Sequence, residues 1–111
     1  MCDNAGMNKI DSLYYEAVTE ASSGHFDIGT LRALHEQASK FNQIDEPGEA
    51  ARFYERILQI LRTLADNGYA TAFSAHQTFC TSLLKEYKQL LITLNRTERA
   101  AFVDQFVRSI A

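Results

Sequence analysis

The sequence predicts an all-α fold, and three observations carry the prediction. Fourteen Ala and eleven Leu stand against three Val; Ala and Leu lose little on entering a helix, whereas β-branched chains lose χ1 freedom there. One Pro and five Gly leave little punctuation, so the elements must be long. No run alternates Val, Ile, Thr and aromatics between turn signals, as strands of a hairpin would.

Apolar spacing and caps place five helices in order. The first is expected over about 8–22, with Ile10, Leu13, Tyr14, Ala17, Val18 and Ala21 on one face, Asn8 as N-cap and Gly24 at the exit. The second, about 28–41, opens at Asp27 and buries Ile28, Leu31, Leu34, Ala38 and Phe41. A short loop through Asp45 and Glu46 leads to Pro47, which suits a first helical turn because its missing N–H is not needed there. The third helix, about 47–66, stops at Asn67-Gly68, the left-handed exit. Its apolar set, from Ala50 and Phe53 to Leu64 and Ala65, fills roughly half the circumference at 100° per residue. The fourth, about 72–94, carries Phe73, His76, Phe79, Cys80, Leu83, Leu84, Tyr87, Leu90, Leu91 and Leu94. The fifth, about 96–110, takes Asn95 as N-cap with Glu98 at the capping-box position and buries Phe102, Val103, Phe106, Val107 and Ile110.

These helices form one domain over residues 1–111, with 1–7 expected to be flexible. The length suits a single core, and no linker or charge block divides the chain. The third and fourth helices are expected to make a long antiparallel αα-hairpin (about 47–66 and 72–94). Each is about 30 Å long at 1.5 Å per residue, against a radius of gyration of ~13 Å for a domain this size. Three shorter helices are expected to leave apolar area uncovered, and such area favours association. A homodimer is therefore expected. Off-stripe groups point the same way: Tyr15 lies about 100° from Tyr14, Ile92 falls outside the stripe of the fourth helix, and Val107 widens the fifth.

The segment from Gly48 to Leu58 resembles the second helix of a tetratricopeptide repeat in the spacing of Ala50, Tyr54 and Leu58. The resemblance covers about a dozen residues and does not recur at that family's thirty-four-residue period. It implies a helical protein-interaction scaffold.

Candidate chemistry is sparse. His76 and Cys80 are four apart on the apolar face of one helix, a spacing that can give two ligands to one metal. There is no CxxC and no Glu-x-x-His pair as in di-iron bundles, so no metal site and no cofactor are expected. A thiol on an apolar stripe is inert, and no Gly-rich phosphate loop or Ser nucleophile elbow occurs; no catalytic residue is assigned and the protein is not expected to be an enzyme. Net charge is -3, which disfavours a basic nucleic-acid binder. Arg52, Arg56 and Arg62 interleave with Glu49, Glu55 and Asp66, a pattern that reads as a solvated mixed-charge face. A helix-turn-helix can be drawn over 28–60, but its second helix opens with Glu46, Pro47 and Glu49, acidic where phosphates would lie. Direct nucleic-acid contact is not expected. Nor is membrane contact: no apolar run approaches 18 residues, no signal-peptide pattern opens the chain, and the cytoplasm is the default compartment.

The expected function is that of a non-catalytic regulator that binds a partner protein and masks one of its interfaces, as an anti-activator or inhibitor of a bacterial transcription factor does. Tyr15, Phe26, Tyr69, Ile92 and Val107 are the candidate contact residues, because large apolar and aromatic anchors dominate interface energetics. The alternatives are a helical chaperone or adaptor scaffold, and a metal- or small-molecule-binding bundle centred on His35, His76, Cys80 and Tyr87.

Overall fold

A computed structural model describes residues 3–110, with side chains from Ile10 onward. Five α-helices are present among them: α1 (Asp3–Ala21), α2 (Ile28–Gln43), α3 (Pro47–Asp66), α4 (Gln77–Thr93) and α5 (Thr97–Ile110), with a 3₁₀ segment over Ala70–His76 between α3 and α4. No strand occurs among the described residues. Of the segment 1–7, Met1 and Cys2 lie outside the described residues, and the backbone from Asp3 is already α1. Asn8 is thus inside the helix and does not cap it.

Four helix exits use one turn. Gly24, Asp45, Gly68 and Asn95 each have positive φ, at 91°, 61°, 83° and 62°. In every case that residue's amide bonds the carbonyl three back, and the next amide bonds the carbonyl five back: Gly24 to Ala21 and His25 to Glu20, Asp45 to Asn42 and Glu46 to Phe41, Gly68 to Ala65 and Tyr69 to Leu64, Asn95 to Ile92 and Arg96 to Leu91. This is the Schellman closure, which satisfies the last carbonyls of the helix. Asn95 therefore ends α4, contrary to the N-cap expected of it; Asn and Asp are the non-glycine residues that visit the left-handed region most readily. Asp27 caps α2 as expected, its Oδ1 accepting from Gly29 N at 2.9 Å, and Pro47 opens α3.

α3 is the central element. Ile57, Leu58, Leu61 and Leu64 on it are fully buried, and it meets α1, α2, α4 and the 3₁₀ segment. α3 and α4 run antiparallel: residues 66 and 77 lie at the connecting end, while Tyr54 stacks on Tyr87 towards the other, centroids 5.8 Å apart at 9°. The most extensive packing, however, is α2 on α3 and α4 on α5, the two pairs joined by the tight Asp45 and Asn95 turns. The long hairpin is thus sandwiched by shorter partners.

Two expectations change. The fourth α-helix begins at Gln77, because residues 70–76 wind as 3₁₀. Side chains three apart eclipse in a 3₁₀ helix, which lines Phe73 up with His76; Phe26 meets both rings, at 6.1 and 6.0 Å, and Phe73 is buried. The hairpin's apolar faces are also covered within the chain, since Leu83, Leu84 and Leu91 of α4 are as buried as the α3 set. Among the described residues, the large exposed hydrophobic groups are Tyr15, Ile44, Tyr69 and Ile92. The radius of gyration is 13.8 Å, close to that of a compact domain.

Candidate functional site

The first half of α3 builds the floor of an open groove. Ala51, Arg52, Glu55 and Arg56 fall on one side of the helix by i, i+4 spacing. Tyr14 and Tyr15 of α1 form one wall; Tyr87 and Leu91 of α4, Arg96 of the turn and Arg99 of α5 form the other. The space between them is about 500 Å³, within the ~300–1,000 Å³ of ligand sites.

Glu55 anchors the floor. Its carboxylate accepts from Tyr87 Oη at 2.6 Å, Gln59 Nε2 at 2.7 Å, and Arg99 Nε and Nη2 at 3.3 and 2.5 Å. Burial opposes the charged form, but the bonds from Arg99, Tyr87 and Gln59 overcome it and hold Glu55 below the usual carboxylate range. Burial, followed by the bond to Glu55, raises the Tyr87 phenol. A matching bond lies alongside, with the helices exchanged: Tyr54 Oη donates to Glu86 Oε1 at 2.7 Å, and His35 Nε2 lies 2.9 Å from the same oxygen. Two stacked tyrosines thus cross-link α3 and α4, each reaching the other helix's glutamate. Burial, then Glu86, raises Tyr54 as well.

The arginines differ in what holds them. Arg56 is only partly exposed: its guanidinium lies 4.8 Å from the Tyr14 ring centroid and 5.6 Å from that of Phe53, and Nη1 is 2.6 Å from Asp11 Oδ1. Arg99 pairs with Glu55 and sits 4.5 Å over Phe102, which Arg62 also covers at 4.9 Å. Arg52 meets Glu49 at 2.7 Å with its side chain 64% exposed. Arg96 is exposed and makes no ion pair among the described residues. The mixed-charge face expected on α3 is therefore partly an internal lattice of cation–π and ion-pair contacts.

The five expected contact residues do not form one patch. Tyr15, 64% exposed, stands in the groove wall with its ring 5.2 Å from that of Tyr14. Ile92 is exposed next to the groove residue Leu91. Phe26 and Tyr69 lie at the other end, about 20 Å along α3, where Phe26 is half-buried on Phe73 and Tyr69 stands over Gly24. Val107 is a correction: it is buried in the core, because α5 packs along α4 with Val107 on the packed face. Sequence reasoning missed Arg96, Arg99 and Glu55 as site residues. The Tyr14-Tyr15 doublet and the four-residue step from Arg52 to Arg56 were visible, but nothing in the sequence set α1 and α5 on either side of them.

The groups of the metal-binding alternative are held apart by other partners. His35 bonds Glu86, His76 meets Phe26, and Tyr87 bonds Glu55. Cys80 is fully enclosed, and burial pushes its thiol up to about 11. Among the described residues no group of three or more His, Cys, Asp or Glu is placed to hold a metal ion, and no helix is long and apolar enough to cross a membrane. No family model, curated protein or solved structure matches the chain.

Proposed function

We propose that this protein is a non-catalytic regulator that binds a protein partner and masks a surface the partner needs. The observation that carries the reading is the groove with Tyr15 exposed in its wall beside four arginines. Tyr and Arg are the residue types enriched at interface hot spots, and here they share one concave, largely preorganised surface. Glu55, Tyr87, Tyr54, Glu86 and His35 are bonded across helices, which suits a scaffold. By analogy of size and class, a transcription factor is the kind of target such a regulator would mask; a chaperone or adaptor role rests on the same groove. A homodimer would have to use the groove or the exposed groups at the helix ends, since the hairpin faces are covered.

The test is affinity capture from the native host with the wild-type chain and a Tyr15→Ala variant of unchanged circular dichroism. The reading expects a partner retained by the wild type and lost with the variant. Capture that is indifferent to Tyr15, or no partner across growth conditions, overturns it.

A further inference from the structure

We infer that the groove takes an acidic segment of the partner chain, its carboxylates on Arg96 and Arg52 and a large apolar or aromatic side chain against Tyr15. The inference rests on the protein-binding reading and adds the chemistry of the occupant. Four guanidiniums, of Arg52, Arg56, Arg96 and Arg99, line the space, and three carboxylates, of Asp11, Glu49 and Glu55, pair with them. One positive charge is left over, in a chain whose net charge is -3. The excess sits on Arg96, which is exposed, and among the described residues an incoming carboxylate there breaks no ion pair. Arg52 is the second point of attachment, because its one partner, Glu49, is bound at a solvent-exposed site where pairing is worth little. Arg guanidinium is also the group best matched to a planar carboxylate.

Arg56 and Arg99 are committed to Asp11 and Glu55 and to aromatic faces, so they fix the walls. The apolar subsite is equally specific. Tyr15 presents an exposed ring whose neighbour Tyr14 is held by Arg56, and Leu91 and Ala51 line the space below. A polyanion such as single-stranded nucleic acid fits worse, since Asp11, Glu49 and Glu55 would face every phosphate that the mouth does not neutralise.

Fluorescence polarisation of the purified chain tests the inference with three labelled probes: an Asp/Glu-rich peptide with one central Phe, the same peptide with Lys at every acidic position, and a single-stranded oligodeoxynucleotide. The acidic peptide is expected to bind in the micromolar range and to weaken with added salt. Arg96→Glu and Tyr15→Ala, each checked for unchanged circular dichroism, are each expected to lower its affinity about tenfold. Equal binding of the Lys peptide, tighter binding of the oligonucleotide, or affinity untouched by both variants overturns the inference. So does a second copy of the chain occupying the groove, seen as self-association that Arg96→Glu abolishes. Capture of a partner that depends on Tyr15 but not on Arg96 or salt would end the acidic-segment inference and leave the protein-binding reading standing.

Discussion

At the residue scale, Glu55 joins three helices through one carboxylate: Gln59 on its own helix, Tyr87 on α4 and Arg99 on α5. Its folded pKa lies below the ordinary value of 4.5. A carboxyl depressed in the folded state contributes stability that is present above its unfolded value and lost as pH falls through the folded one. Glu55→Gln is therefore expected to destabilise the protein by about 1–3 kcal/mol at neutral pH, the range for disturbing a charged, partly buried hydrogen-bond network. The difference between variant and wild type should shrink below pH 4.5. Denaturant melts from neutral to acid pH measure this, and a gap that stays constant with pH would show that Glu55 is not the linked group. Asp104, held low by Lys88 and then Arg108, titrates in both proteins and cancels. None of this was legible in the sequence, where Glu55 reads as one charge in a mixed face.

At the element scale, the shared exit turn explains how helices with little Gly or Pro change direction four times. Two exits were visible, at Gly24 and Gly68. The other two, Asp45 and Asn95, looked like loop or cap residues, since the same side chains that tolerate positive φ also favour N-caps. Which role an Asn takes depends on where the preceding helix is stopped by packing. The two glycines also differ from each other. At Gly68 an added Cβ would meet nothing within 4 Å, whereas at Gly24 it would stand 2.9 Å from Tyr69 Cδ1. Gly68→Ala should cost about 1–2 kcal/mol from the left-handed backbone alone, and Gly24→Ala should cost clearly more. The excess should shrink when Tyr69 is also changed to Ala, since the three atoms nearest that Cβ all belong to its ring. Thermal or urea melts of these three variants and of Tyr69→Ala alone read the coupling; equal costs at the two glycines would show that the Tyr69 contact does not constrain the turn.

At the scale of the whole molecule, the apolar arithmetic closes inside one chain. The length of the α3–α4 pair suggested surface to share, but α1, α2 and α5 cover both members. What stays exposed among the described residues is small: Ile44 and Ile92 near the two tight turns, Tyr69 at the other end, and Tyr15 in the groove wall. Single exposed groups of this kind are ordinary on a monomer. Light scattering after size exclusion at tens of micromolar is accordingly expected to return about the 12.5 kDa of one chain. A stable dimer mass would mean that the end residues associate, and substituting Ile44 and Ile92 by Ser should then disperse it.

The sequence alone determined the class, the number of α-helices, most of their boundaries and most of the core, because those follow from local propensity and from a 3.6-residue apolar period. It determined, too, where glycine and proline must punctuate. Tertiary structure decided the rest. Phe26 packing on Phe73 and His76 accompanies the conversion of the first turns of the fourth helix to 3₁₀, which propensity over Ala70–His76 does not foretell. The packing of α1 on α3 and of α5 on α4 turned Arg52 and Arg56 into groove residues and brought Arg96, Arg99 and Tyr15 to them. Such juxtapositions join residues up to eighty-five positions apart, from Tyr14 to Arg99, and only side-chain packing, not any local signal, sets that register.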